Sequence, residues 1–333
     1  MSWKKNKQNN TRGFGTKFLL FFAVFFLGTA VFSGVNLFLE HQLELKRKPG
    51  ADDPVRKENE FFLNKLDPKR YPVVIYGDSR TYRGVVPDVF RKKWQLPCMN
   101  YALSSGGIND EMLRFLDSRL DTGSGRAAVI LGITPYDMSA DSRENKQFHV
   151  LQKQRTELDA GGPGILSVML GNFSEARLKK IRRSLRKNRK EAEVNIRQTF
   201  YPDGWCETES VSGETVPEMV KSALASYEAI FRQTKYSQQS EKELLHWIRT
   251  WKKRGIEVYL FRLPASSEMI DLENRLSGFQ EEEFSRKVEE AGGHFIRCPL
   301  TAYPSYDASH LASGPAREMT EELCRRIESI HAR

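Results

Sequence analysis

Serine becomes a nucleophile near neutral pH only when a base takes its proton, and that base is usually a histidine held by a carboxylate. Three residues of this chain have those types on segments that can meet. Ser79 lies in Tyr76-Gly77-Asp78-Ser79-Arg80, and Asp307 and His310 lie in Tyr306-Asp307-Ala308-Ser309-His310-Leu311. The first segment ends the β-rich run Val73 to Tyr76 at a glycine. Glycine permits a tight turn, and the serine then opens the next helix with backbone N–H groups beside its hydroxyl. In the second segment an aspartate and a histidine three apart on a turn can point the same way, Asp307 fixing the imidazole tautomer and His310 accepting the serine proton. An Asp-x-x-His alone is common. Paired with Gly-Asp-Ser after the first strand, it points to acyl-transfer chemistry. Of the other histidines, His41, His246, His294 and His331 read as packed or solvent-exposed, and His149 falls in a segment that leaves it undecided.

The elements that must position these residues are legible as alternating patterns. Short apolar runs at Val73 to Tyr76, Cys98 to Leu103, Ala127 to Ile133, Ile256 to Leu263 and His294 to Cys298 predict strands. Helical periodicities cover Val85 to Trp94, Asn109 to Leu120, Val216 to Phe231, Ser240 to Arg254, Glu281 to Ala291 and Ala316 to Ile330. Apolar strands alternating with helices imply an α/β fold, a three-layer α/β/α sandwich around a mostly parallel five-stranded sheet. In such sheets ligands bind beyond the carboxyl ends of the strands, which is where Ser79 and His310 both fall. The alternation breaks between about 138 and 215, a stretch too long for a simple connection and read as an insertion.

At 333 residues and 39% hydrophobic composition the chain can bury a substantial core. Its formal charge of +9 is not spread evenly. Residues 1 to 17 hold Lys4, Lys5, Lys7, Arg12 and Lys17 without an acid, and Arg177 to Lys190 hold nine basic residues without an acid. The rest of the chain is net acidic, which excludes a uniformly basic nucleic-acid-binding domain. Phe18 to Leu39 carries no charged side chain over 22 residues, enough for a bilayer span of about 20 residues. A cleaved signal peptide has a shorter apolar core of about 7 to 15 residues and a small-residue cleavage site. The expected layout is therefore a cytoplasmic basic tail (1–17), a transmembrane anchor (18–39), a stalk with one short helix (40–70) and an extracytoplasmic α/β domain (71–333). The positive-inside bias gives this orientation, a single pass with the basic end in the cytoplasm; a bacterium is the simplest setting, with the anchor in its inner (cytoplasmic) membrane and the domain periplasmic or otherwise extracytoplasmic. Cys98, Cys206, Cys298 and Cys324 form no CxxC pair, and both disulfides and buried thiols are open to them.

Tyr76-Gly77-Asp78-Ser79 and Asp307-Ala308-Ser309-His310-Leu311, in that chain order, resemble the first and last motif blocks of the SGNH, or GDSL-like, hydrolases. Asn100-Tyr101-Ala102-Leu103-Ser104-Ser105-Gly106-Gly107 resembles the glycine block that supplies an oxyanion-hole N–H. Gly132-Ile133-Thr134-Pro135 falls where the family has Gly-x-Asn-Asp, so Thr134 stands in place of an oxyanion-binding asparagine. The resemblance covers about 71 to 150 and 250 to 330. It implies Ser79 as nucleophile, His310 as base and then acid, Asp307 as its orienter, and an oxyanion hole from Ser79, Gly106 and Thr134. Asp78 reads as structural, holding the turn. An anchor followed by an exported domain of this type resembles the bacterial proteins that work with membrane-bound O-acyltransferases to acetylate exopolysaccharide or D-alanylate teichoic acid. The implied reaction is acyl transfer to an envelope or exopolysaccharide hydroxyl, with no metal or organic cofactor. An esterase with the same triad, or a silent polysaccharide-binding subunit, are the alternatives, the last favoured by Thr134.

Four further features have two readings each. The segment Ser174 to Lys190 is a solvated basic helix or a surface for anionic lipid or acidic polysaccharide. Tyr201 and Trp205 stack on a sugar ring or anchor their own loop. Arg262, ending the fourth strand, faces the substrate or forms a structural ion pair. Arg80 pairs with a carboxylate or steadies an anionic acceptor.

Overall fold

The computed structural model describes residues 54–123, 125–159 and 196–331. The expected anchor at 18–39 and the basic run at 174–190 lie outside these residues. Among the described residues no helix is long and apolar enough to cross a membrane. Apart from the end of one helix at 156–159, everything described belongs to one compact unit.

Five parallel strands form the central sheet in the order β2-β1-β3-β6-β7. They are β1 (Val73–Tyr76), β2 (Cys98–Asn100), β3 (Ala128–Ile133), β6 (Glu257–Arg262) and β7 (His294–Ile296). Register is continuous across the middle: Tyr76 pairs with Leu131, which pairs with Leu260. The strand alternation sorts the side chains into two cores. Val74, Tyr76, Val129, Leu131, Val258 and Leu260 face one layer. Val73, Ile75, Ala128, Ile130, Tyr259 and Phe261 face the other. A period of two sends neighbours to opposite faces, so strands apolar at every position require cover on both sides.

On the first face lie α4 (Asp110–Arg119) and α7 (Gln238–Lys253), through Met112, Leu113, Leu116, Leu244, Ile248 and Trp251. With them packs α9 (Glu281–Glu290), through Phe284 and Val288. On the second face lie α3 (Pro87–Trp94), through Val89 and Phe90, and the final helix α10 (Ser313–His331), through Met319, Leu323 and Ile327. The short helix α2 (Ser79–Gly84) follows β1 at the carboxyl edge. Two further helices, α6 (Pro217–Gln233) and α8 (Ser267–Leu276), meet around Met269, Ile270, Tyr227 and Leu224. The predicted helices are present with shifted ends, and α8 is one the periodicity missed.

The expected stalk is, from Pro54 on, part of the folded unit. Helix α1 (Pro54–Asn64) buries Phe61 and Phe62, and Lys65 follows it fully enclosed. The Lys65 ammonium lies over the Phe61 ring at 4.4 Å and donates to the carbonyls of Ala102 at 2.7 Å and Gly204 at 3.2 Å. Burial holds its pKa well below the ordinary lysine value.

Within the insertion, the described parts are α5 (Lys146–Asp159) and an antiparallel hairpin of β4 (Ile196–Phe200) and β5 (Cys206–Ser210). The hairpin turn docks on the end of β2, where Asn100 N–H donates to the Asp203 carbonyl at 2.8 Å. A Cβ at Gly204, which sits at φ +85°, would lie 2.0 Å from the Asn100 carbonyl oxygen, so only glycine fits this contact. All four cysteines are free thiols, which resolves the choice left open by the sequence.

Candidate active site

Strand β1 ends at Tyr76, and the chain turns at Gly77 against the end of β3. A Cβ there would meet Thr81 Oγ1 at 2.1 Å and the Gly132 carbonyl at 2.4 Å, so the turn tolerates no side chain. Asp78 caps α2, accepting from the Arg80 N–H at 2.8 Å. Ser79 is the first residue of that helix, and its N–H has no intrahelical acceptor. The turn thus holds Ser79 by its backbone while leaving its hydroxyl free to reach outward.

That hydroxyl lies 2.8 Å from His310 Nε2. His310 Nδ1 lies 2.8 Å from Asp307 Oδ2, and Asp307 Oδ1 accepts the backbone N–H groups of Ser309 at 2.9 Å and His310 at 2.7 Å. Ala308 carries the turn at φ +70°, and an N–H bond from Tyr306 to the His310 carbonyl at 3.1 Å closes it. An ionised carboxylate facing Nδ1 places the ring proton there, which leaves Nε2 as the acceptor for the serine proton. The structure therefore brings Ser79, His310 and Asp307 together in one relay, with each group in the order the sequence implied.

Electrostatics favour the same protonation states. Burial and then the nearby Arg83 guanidinium lower the His310 pKa below its ordinary value, against the opposing pull of Asp307. Burial acts to raise the Asp307 carboxyl, but His310 and the two backbone N–H groups outweigh it and hold the pKa below the usual value. A neutral base beside an ionised orienter is the resting state that nucleophilic catalysis needs.

Two of the three expected oxyanion donors are engaged within the protein. Thr134 is fully buried, and its hydroxyl donates its one proton to Asp78 Oδ2 at 2.9 Å. The Thr134 N–H donates to Asp137 Oδ2 at 3.0 Å. Thr134 therefore braces the nucleophile turn from β3 and has no proton left for an oxyanion. Burial, and then the Asp78 charge, raise the Asp137 pKa well above the ordinary carboxylate value. The Gly106 N–H donates to the Leu103 carbonyl at 3.3 Å. That bond is long, and Gly106 would have to exchange it for the oxyanion. Only Ser79, of the three named donors, has its N–H unengaged.

Three candidate substrate contacts also prove structural. Arg80 is 2% exposed, with Nε donating to Ser309 Oγ at 2.9 Å and Nη2 paired with Glu273 at 2.6 Å. Arg262 is 3% exposed and pairs with Glu273 at 3.0 Å and Glu281 at 2.9 Å. Both guanidiniums point into the layer between β6 and α8 because Glu273 is buried there. Trp205 is 2% exposed, stacks on Tyr201 at 5.0 Å and donates from Nε1 to the Arg83 carbonyl at 3.0 Å, so it anchors the hairpin.

Two neighbours were not singled out from the sequence. The Tyr306 ring stacks on His310 at 17° between planes, and its hydroxyl accepts from Arg83 Nη1 at 2.9 Å. Arg83 stands four residues after Ser79 on α2, a helical spacing that puts both on one face and was the available signal. Beside the glycine loop opens a depression of about 370 Å³ whose lining includes Ser104, Ser105, Tyr136, Asp141, Lys146 and Gln147. Among the described residues no cluster of His, Cys, Asp and Glu is arranged to hold a metal ion.

A scan against models of protein families finds no match for this chain, and neither does a search of curated proteins.

Proposed function

We propose that the chain is an SGNH-type serine acyltransferase, anchored in the cytoplasmic membrane with its catalytic domain outside, that acylates hydroxyls of an envelope or secreted glycan. The observation that carries this reading is the Ser79–His310–Asp307 relay, two consecutive contacts of 2.8 Å at the carboxyl end of a parallel sheet.

In the reaction, His310 Nε2 takes the Ser79 proton as Oγ attacks the carbonyl carbon of the acyl donor. The resulting oxyanion is stabilised by the Ser79 N–H and by Gly106 once it releases Leu103. His310 then protonates the leaving group, giving acyl-serine. A glycan hydroxyl enters, loses its proton to His310 and attacks the ester carbonyl. Collapse returns the proton to Ser79 Oγ and releases the acylated glycan. Water in place of the hydroxyl would make the same site an esterase. The acyl donor would come through a membrane-bound O-acyltransferase partner, as the anchored layout suggests.

The engaged Thr134 and Gly106 donors favour one second reading, a glycan-binding or assembly subunit that has lost catalysis. Loss of one oxyanion donor costs on the order of 10²-fold or more in rate. Incubating the full chain in neutral detergent with an aryl acetate, with and without an oligosaccharide, separates the readings. Hydrolysis lost in Ser79→Ala supports the triad, and acetylated oligosaccharide selects transfer. No turnover above the Ser79→Ala background selects the silent subunit.

A further inference from the structure

The glycine loop after β2 is held by side chains from the start of the inserted segment. Asn145, 3% exposed, accepts the Gly107 N–H on Oδ1 at 2.8 Å and donates from Nδ2 to the Gly107 carbonyl at 3.1 Å. The Tyr76 hydroxyl, from the end of β1, donates to the same carbonyl at 3.1 Å. Two residues further on, Gln147 Oε1 accepts the Ser104 N–H at 2.6 Å. Asn145 stands at φ +43°, a left-handed conformation that asparagine tolerates better than most residues, and its N–H closes the turn onto the Ser142 carbonyl at 3.1 Å. Peptide bonds are planar, so each contact fixes a whole plane. Gln147 sets the Leu103–Ser104 plane, which carries the Leu103 carbonyl, and Asn145 sets the Gly106–Gly107 plane. Between them, the Ser105–Gly106 plane carries the Gly106 N–H, held by the long bond to Leu103 at 3.3 Å. It can turn like a crankshaft about ψ of Ser105 and φ of Gly106, the second unhindered by a Cβ. Ser105, at φ +55°, stores strain within the part of the loop that moves.

We propose that Asn145 and Gln147 are positioning residues for the reaction: they hold both ends of the glycine loop still, so that the Ser105–Gly106 plane alone turns and carries the Gly106 N–H from Leu103 onto the oxyanion. This rests on the acyl-serine reading above. Neither side chain needs to touch the reacting atoms, because each acts through the backbone it grips. The inserted segment thereby takes part in catalysis at its first turn, where α5 begins, by fixing a donor that β2 and its loop supply.

The test compares the full chain as wild type, Asn145→Gly and Gln147→Ala in neutral detergent. Glycine accepts a positive φ, so Asn145→Gly removes the grip and leaves the backbone conformation open to the chain. Aryl acetate kcat should fall about 10- to 100-fold in Asn145→Gly and about 3- to 10-fold in Gln147→Ala, with KM within about threefold of wild type, short of the effect of losing an oxyanion donor outright. Benzeneboronic acid gives a second readout. Ser79 Oγ adds to boron, its proton passes to His310, and a boron-bound oxygen takes the place of the oxyanion. Its affinity should fall by similar factors. The pH at which kcat/KM levels off should stay where it is, since neither residue acts on His310. Ile327→Val, a core change on α10, controls for lost stability and should leave kcat unchanged. A kcat within about twofold of wild type in both variants would overturn the proposal. So would an equal loss in Ile327→Val, full affinity for the boronic acid beside a reduced kcat, or a shifted pH limb. If Asn145→Gly does not fold by circular dichroism, Gln147→Ala decides alone. Wild type that neither turns over the ester nor binds the boronic acid overturns the catalytic reading and this role with it, whereas wild-type turnover undiminished in the variants overturns this role alone.

Discussion

Arg80 Nε donates to Ser309 Oγ at 2.9 Å, tying the residue after the candidate nucleophile to the residue before the candidate base. The two loops are 229 positions apart in the chain, and this bond closes that separation next to the reacting atoms. Glu273 fixes the arginine from the other side, and the Tyr227 ring covers it at 5.2 Å. The distance between Ser79 and His310 is therefore set by a buried ionic lock and not by the loops alone.

Removing the shared anion exposes the cost of this lock. Glu273→Gln leaves Arg80 and Arg262 buried with one carboxylate, Glu281, between them. Breaking such a pair typically destabilises by about 3–5 kcal/mol. Urea denaturation should show a clearly lowered midpoint with an unchanged slope; an unchanged midpoint would mean the network contributes no stability.

Asp307→Asn should leave the fold in place and remove most of the activity. The asparagine amide cannot fix the Nδ1–H tautomer, and in the serine-protease template the same change lowers kcat about 10⁴-fold. Aryl acetate turnover is expected to fall by on the order of 10³-fold or more with an unaltered circular dichroism spectrum. Turnover within about threefold of wild type would remove Asp307 from the mechanism.

The pH profile carries its own signature. His310 acts as a base only when neutral, and its pKa lies below the ordinary histidine value of about 6.5. Aryl acetate kcat/KM should therefore rise with pH and level off at a lower pH than an unperturbed histidine would give. Arg83 is a cation that lowers this pKa, so Arg83→Gln should move the limb to higher pH. A limb that stays in place, or moves to lower pH, would show that Arg83 does not act on His310.

Thr134→Val distinguishes a brace from an oxyanion donor. Valine removes the proton that Asp78 Oδ2 accepts and leaves a buried acceptor short of a partner, at a typical cost of about 1–3 kcal/mol. Thermal denaturation should register the loss. A rate decrease on the order of 10²-fold at unchanged thermal stability would instead give Thr134 the oxyanion role.

Much of this architecture is legible in sequence because burial writes a simple pattern there. The strands of the sheet are apolar at nearly every position, and helices α4, α7 and α9 have apolar stripes with polar flanks, so type and order follow from period alone. Ser79, Asp307 and His310 were findable because each follows a strand and each chemistry demands its residue type. Helix α8 was missed because its segment begins with Ser266, Ser267 and Glu268, polar residues that read as a loop but here cap a helix through Ser266. The hairpin was missed because β4 and β5 are mostly polar and rest on the unit through few side chains, Cys206 and Thr208 among them. Arg80, Arg262 and Thr134 illustrate a different limit. Sequence placed them beside the site, but the partners that turn them inward, Glu273 and Asp78, are set by tertiary contacts between distant segments.

The central claim is a covalent acyl group on Ser79. It is tested most directly by rapid acid quenching of the full chain with an excess of aryl acetate, followed by peptide mapping by mass spectrometry. The account predicts an acetyl adduct on the peptide containing Ser79, formed within the first turnover, discharged on adding an acceptor, and missing in Ser79→Ala. Turnover of the ester without any adduct at Ser79, or an equal rate in Ser79→Ala, would contradict it.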